Sequence, residues 1–98
     1  MPVSNNFHEL LFELSNEDRY MILLTLKNGD HNVTNIAREL SLTTQESSRH
    51  LNRLAERGLI VKTVTGEYTL TEYGLLVLRR ARDIRFIKQR LLSNSYDS

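Results

Sequence analysis

A mainly α-helical fold with one small β-hairpin (α+β) is what three features of this sequence predict. Apolar residues recur at helical spacing in five separate stretches, two of those stretches are separated by only three residues, Ser41-Leu42-Thr43, and β-branched runs follow on either side of Thr65-Gly66. With 98 residues the chain has room for one small domain, and with no cysteine it has neither disulfides nor thiolate metal ligands to support it. Helical regularity or dimerisation must supply that support. No apolar run approaches the ~18 residues needed to span a bilayer, and the start Met1-Pro2-Val3-Ser4-Asn5-Asn6 lacks the basic and apolar regions of a signal peptide. A cytoplasmic location is therefore expected.

The elements follow in order. Phe7, Leu10, Leu11 and Leu14 form the i, i+3, i+4, i+7 stripe of an amphipathic helix that stops at Ser15-Asn16. Those two residues cap the next helix, Glu17 and Asp18 place negative charge in its first turn, and Tyr20 to Leu26 is apolar enough to be buried on several sides. It closes at Lys27-Asn28-Gly29. After the polar loop Asp30-His31-Asn32, Thr34 is positioned to cap a short helix with Ile36, Ala37 and Leu40 inward. Thr43 and Glu46 then have the spacing of a capping box, opening a helix that buries Ser47, Leu51 and Leu54 and ends at Gly58. Residues 60–64 and 67–71, joined by Thr65-Gly66, read as a hairpin. Thr71 caps a final helix from about Glu72 to Leu92, roughly 30 Å long.

Two helices joined by a three-residue turn and followed by a hairpin give the order helix, helix, recognition helix, wing. This is a winged helix-turn-helix, and the prediction rests on spacing. The stretch Asn35 to Ile60, with Ser48-Arg49-His50-Leu51 followed by Gly58-Leu59-Ile60, resembles the helix-turn-helix of the ArsR-like winged-helix transcriptional regulators. The resemblance extends upstream through Leu14–Leu24 and downstream to about Leu78. It implies binding of double-stranded DNA, usually as a homodimer. Metal-sensing members of that family commonly carry cysteines on the helix-turn-helix; this chain has none, which excludes thiolate-based sensing. His8 and His31 fall on separate elements without a second ligand at metal spacing, so no metal and no cofactor is expected.

With Ser47, Leu51 and Leu54 inward, the 100° advance per residue turns Thr44, Gln45, Ser48, Arg49, Asn52 and Arg53 outward. Gln45, Ser48 and Arg49 are the candidates for base edges, because the N-terminal half of a recognition helix (about 44–57) enters the major groove deepest. Arg matches O6 and N7 of guanine, and Gln or Asn matches N6 and N7 of adenine. Thr34, Arg38, Thr43, Thr44, His50, Asn52 and Arg53 are the candidates for the DNA backbone. For Arg38 a surface ion pair with Glu39 or a neighbour is an equal alternative, and for His50, placed on phosphate by the family motif, a local structural hydrogen bond is. Lys62, Thr63, Thr65 and Gly66 belong to the wing (60–71), suited to flanking backbone or minor groove, while Tyr68 is expected on the core side of the hairpin.

The near-neutral total of 13 basic and 12 acidic residues hides an asymmetry. Residues 79–90 carry Arg79, Arg80, Arg82, Arg85, Lys88 and Arg90 against Asp83 alone, on the last helix rather than the recognition helix. Its second half narrows to a stripe through Val77, Ala81, Ile84, Ile87 and Leu91. That stripe, together with Phe7, Leu10, Leu11 and Leu14 of the first helix, is expected to form a homodimer interface. A two-fold dimer sets two recognition helices about 34 Å apart, one turn of B-DNA, and so predicts a near-palindromic operator. Phe86 falls off the stripe among arginines, either as a docking point for another domain or stacked beneath them.

The winged helix-turn-helix with its dimerisation helix (about 72–92) is thus expected to occupy residues 1–92, with 93–98 as a tail or the start of a linker. The chain resembles the N-terminal DNA-binding part of archaeal winged-helix regulators that continue into a sensor domain. In such a protein the effector site lies outside these residues. A different class of function, a winged helix used as a protein-interaction module in transcription or replication machinery, would favour apolar residues where Thr44, Gln45, Ser48 and Arg49 stand. Catalysis is disfavoured by the lack of a spaced nucleophile and base or of a glycine-rich phosphate loop.

Overall fold

The computed structural model describes residues 7–97, with side chains from His8 to Phe86 and at Gln89. Five helices and two strands run in the order α1 (Phe7–Glu13), α2 (Glu17–Lys27), α3 (Val33–Leu40), α4 (Thr44–Glu56), β1 (Ile60–Lys62), β2 (Tyr68–Leu70) and α5 (Glu72–Asp97). The winged helix-turn-helix expected from the spacing is the fold observed.

Helix α2 is the centre of the molecule. The Asn16 side chain accepts from the Arg19 amide (3.0 Å) at its start. Tyr20, Ile22, Leu23 and Leu26 are buried, and α3, α4, α5 and β2 all pack on it. Helix α3 is capped by Asn32, not by Thr34. The Asn32 carboxamide oxygen accepts from the Asn35 amide at 2.8 Å, and its short amide side chain from an extended residue reaches the orphan donor that Thr34, already inside the first turn, cannot. Ser41 turns left-handed (φ 58°) and the Leu42 amide returns to the Ala37 carbonyl (2.9 Å), a Schellman closure that makes the tight α3–α4 turn.

Helix α4 opens with the expected capping box: the Thr43 hydroxyl accepts from the Glu46 amide (3.0 Å), and the Thr43 amide donates to the Glu46 carboxylate (2.9 Å). Ser47, Leu51 and Leu54 are buried as expected. At the far end Gly58 takes φ 79°, which lets the Leu59 amide close on the Leu54 carbonyl (3.1 Å).

The hairpin is shorter than expected. Its strands pair Ile60 with Leu70, Val61 with Thr69 and Lys62 with Tyr68, and the connection widens to Thr63–Glu67, closed by Thr63 N to Glu67 O (2.7 Å) and Gly66 N to Thr63 O (3.0 Å). The loop residue His31 adds a third lane, exchanging both backbone hydrogen bonds with Tyr68 (3.2 and 2.8 Å) and covering the free edge of β2.

Helix α5 begins as expected, with the Thr71 hydroxyl accepting from the Gly74 amide (2.9 Å), but its backbone continues to Asp97, past the expected end at Leu92 and through the expected tail. Gly74 lies so close to the hairpin that a Cβ there would run into the Leu59 carbonyl.

The core corrects the expected dimer surface. Leu10, Leu14, Val77 and Ala81 are all buried inside the protomer, because α1 lies along α5 and each stripe covers the other. Leu11 is half-buried and Ile84 half-exposed. The side chains of Phe7, Ile87 and Leu91 lie outside the described residues. No helix among the described residues is long and apolar enough to cross a membrane.

Candidate nucleic-acid interface

The outward face of α4 presents one continuous polar surface. Thr44, Gln45, Arg49 and Asn52 are exposed and Ser48 is half-exposed beside them. The capping box fixes where this face starts: it ties Thr43 and Glu46 to each other, and the Thr43 amide, then its hydroxyl, hold the Glu46 carboxyl below the usual carboxylate range. The side chains of Gln45, Ser48, Arg49 and Asn52 make no hydrogen bond or ion pair with any described residue.

The flank of α4 toward α1 and α2 is different. Glu13, the last residue of α1, is buried at 3% exposure and gathers three guanidinium groups. Arg53 meets it with a two-pronged contact, Nε to Oε1 at 2.6 Å and Nη2 to Oε2 at 3.1 Å. Arg57 reaches Oε2 at 3.2 Å, and Arg19 lies 3.3 Å from Oε1 while donating to the Glu13 backbone carbonyl at 2.9 Å. The Arg53 hydrogen bond, assisted by the fields of all three arginines, holds the Glu13 carboxyl below its ordinary range despite its burial. Arg53, expected on the DNA backbone, thus has its guanidinium engaged within the protein.

His50, one turn before Arg53's neighbour Leu54, has Nε2 3.8 Å from the Asp18 carboxylate. Burial, then the charge of Arg19, pushes its pKa down, and Asp18 opposes that only in part. At that distance the pair is an electrostatic approach and not the local hydrogen bond that was the alternative for His50. Arg38 likewise makes no ion pair with Glu39; its guanidinium donates to Asn35 Oδ1 at 3.4 Å on an exposed face, with Thr34 exposed nearby.

In the wing, Lys62 stands over the Tyr68 ring with Nζ 5.8 Å from the centroid, and Tyr68 itself is buried, on the core side as expected. Thr63 and Thr65 join hydroxyls at 3.0 Å and Gly66 turns with φ 93°, so the tip is braced from within. Between them Val64 is fully exposed.

This geometry, a capped recognition helix with an open polar face next to a braced hairpin, agrees with what the chain is similar to. Residues 8–90 match the family model described as the HVO_A0261 N-terminal domain. The chain belongs to the HVO_A0261 N-terminal domain family. No curated protein sequence matches it. Among solved structures it is similar to the transcriptional repressor CouR bound to p-coumaroyl-CoA, with 27% identity and a TM-score of 0.72 over 89% of this chain and 69% of that one. It is also similar to Sco5413, a MarR family transcriptional regulator from Streptomyces coelicolor (23%, 0.70, 89% and 69%), and to Lactococcus lactis ZitR (21%, 0.62, 80% and 58%). The chain therefore spans less than two thirds of the ZitR chain and a little more than two thirds of the other two. The shared fold is that of winged-helix transcriptional regulators, of the MarR type in its solved neighbours rather than specifically ArsR-like.

In this family member the expected site residues separate into two groups. Gln45, Ser48, Arg49, Thr44 and Asn52 share one open face, with Thr43 at its head; Arg53 and His50 turn toward α1 and α2. The residue sequence reasoning missed is Glu13. Its signal was an acid set between Leu10 and Leu14 on an inward-facing stripe, opposite an i, i+4 pair of arginines forty residues away. Among the described residues no cluster of His, Asp or Glu could hold a metal ion. Among the clefts that border α5 are one of about 390 Å³ between α1 and α5, floored by Leu11, Leu14, Ala81 and Ile84, and one of about 610 Å³ beside Tyr20, Arg82 and Phe86. Arg85 separates them, stacked 3.8 Å over the Tyr20 ring and 2.9 Å from Glu17.

Proposed function

We propose that this chain is a sequence-specific, double-stranded-DNA-binding transcriptional regulator or its DNA-binding domain, acting in the cytoplasm as a homodimer. The observation that carries the proposal is the open face of α4. Four side chains able to read base edges or bridge phosphates stand unpartnered on a helix whose start and inner face are rigidly held. In the bound state Gln45, Ser48 and Arg49 contact base edges in the major groove. Thr34, Arg38, Thr43, Thr44 and Asn52 position the helix on the backbone, and Lys62, Thr63, Thr65 and Gly66 bring the wing to the flanking groove. The ArsR-like resemblance of residues 35–60 and the MarR-type neighbours both support this reading.

The homodimer is formed by the parts of α1 and α5 that the protomer leaves uncovered. Phe12 on α1 is 74% exposed, and Ile84, which lines the cleft between α1 and α5 together with Leu11, is 50% exposed. A signal reaches the DNA-binding unit from an effector or a sensor domain, as the family description of an N-terminal domain suggests.

Selection of binding sites from random duplex DNA tests the proposal. The expected result is enrichment of a motif with two-fold symmetry. Recovery of a protein partner from the same preparation, with no DNA motif enriched, would overturn it in favour of a protein-interaction module.

A further inference from the structure

Glu13 joins three helices through one carboxylate. It ends α1, Arg19 stands in the first turn of α2, and Arg53 and Arg57 occupy the last turn and C-cap of α4. The carboxylate is buried, while Arg53 and Arg57 keep 53% and 39% of their side chains exposed. Three guanidinium groups this close repel one another, and the single buried acid is what permits their grouping. The two-pronged contact to Arg53 fixes direction as well as distance, because a guanidinium meets both oxygens of a carboxylate only in one plane.

Position 53 lies one helical turn beyond Arg49 and next to Asn52. It occupies the flank of α4, so any rotation of the helix about its axis moves Arg53 and the base-reading residues together. A recognition side chain must be held to within about 0.5 Å for a two-pronged match to a base. The buried residues of α4 are Leu51, Leu54 and Ser47, whose hydroxyl is unpartnered, and the other polar approach on this side, His50 to Asp18, is 3.8 Å long. To that non-directional packing the Glu13 contact adds a directional one.

Resting on the DNA-reading proposal above, we infer that Glu13 is a positioning residue for sequence recognition, setting the rotation of α4 through Arg53 so that Gln45 and Arg49 meet the base edges. Arg53 then serves specificity from within the protein, and contributes no phosphate contact of its own. The same carboxylate links the recognition helix to α1, so the orientation of the reading face is referred to the helix beside the proposed dimer cleft.

Glu13→Gln and Arg53→Gln are measured for dissociation constants on the selected site and on a random duplex, each at several salt concentrations, alongside thermal melting. Both variants are expected to lower the ratio of specific to non-specific affinity about tenfold. For Arg53→Gln the non-specific affinity stays within about twofold and the salt slope is unchanged. A loss for both duplexes alike, with a salt slope smaller by about one, would show Arg53 to be a phosphate contact and overturn the inference. So would a parental ratio in either folded variant. If melting shows Glu13→Gln unfolded, Arg53→Gln decides alone, since it leaves Glu13 paired with Arg19 and Arg57. A parent protein that enriches no motif removes the underlying reading and this inference together, and is recognised before any variant is compared.

Discussion

Ser47 is buried on the inner side of α4 with a hydroxyl that has no partner among the described residues. A buried unsatisfied hydroxyl costs free energy that a methyl group does not. Ser47→Ala is expected to leave stability unchanged or raise it by up to about 1 kcal/mol, seen as an equal or higher thermal midpoint; a clear loss would mean that the hydroxyl is bonded. Lys62 offers a second test at this scale. Held over Tyr68 in the wing, it presents a point charge suited to a phosphate of the flanking backbone. Lys62→Ala should weaken selected and random duplexes alike and flatten the salt slope by about one.

At the scale of elements, the junction between the wing and α5 is close-packed around Thr71 and Gly74. The Thr71 hydroxyl donates toward the Gly58 and Leu59 carbonyls (2.8 and 3.0 Å) and accepts from the Gly74 amide, and the missing Cβ of Gly74 lets the helix lie against the Leu59 backbone just before β1. Because the obstructing atoms are backbone, Gly74→Ala is expected to destabilise by about 1–3 kcal/mol despite alanine's better helix propensity, measured by denaturant unfolding. The flank of α4 gives stability a pH dependence. His50 has a folded pKa below its ordinary value of about 6.5, so the unfolded chain binds the extra proton first. The groups facing it are Asp18, Arg19, Arg49 and Glu46. Stability is then level above that value and falls as pH drops below it. Glu13, also depressed, adds a second loss below the ordinary carboxylate range. His50→Gln should remove the first fall and leave the second; a variant with an unchanged profile would count against the assignment.

For the molecule as a whole, the number and order of elements were legible because each helix announces itself by a local rule: an N-cap, a capping box, a closing glycine, a stripe. Asn32 displaced Thr34 because two residues near one helix start both suit a cap and only geometry chooses. His31 joined the sheet because pairing an edge is a long-range event with no local mark. The outer stripes misled for the same reason. Leu10, Leu14, Val77 and Ala81 have the spacing of an interface, and spacing cannot say whether the partner is another protomer or another helix of the same one. The open face of α4 was legible from the inward residues alone, whereas the gathering of Arg53 and Arg57 on Glu13 was not, since those contacts join residues forty or more positions apart.

The central claim is that the open face of α4 reads base edges. Parallel selections from one random duplex pool, with the parent and with Arg49→Ala, test it most directly. The account predicts a symmetric motif in which the variant loses preference at one base position in each half-site and keeps the others, at a cost of about 1–3 kcal/mol there. An identical motif from both proteins would contradict it.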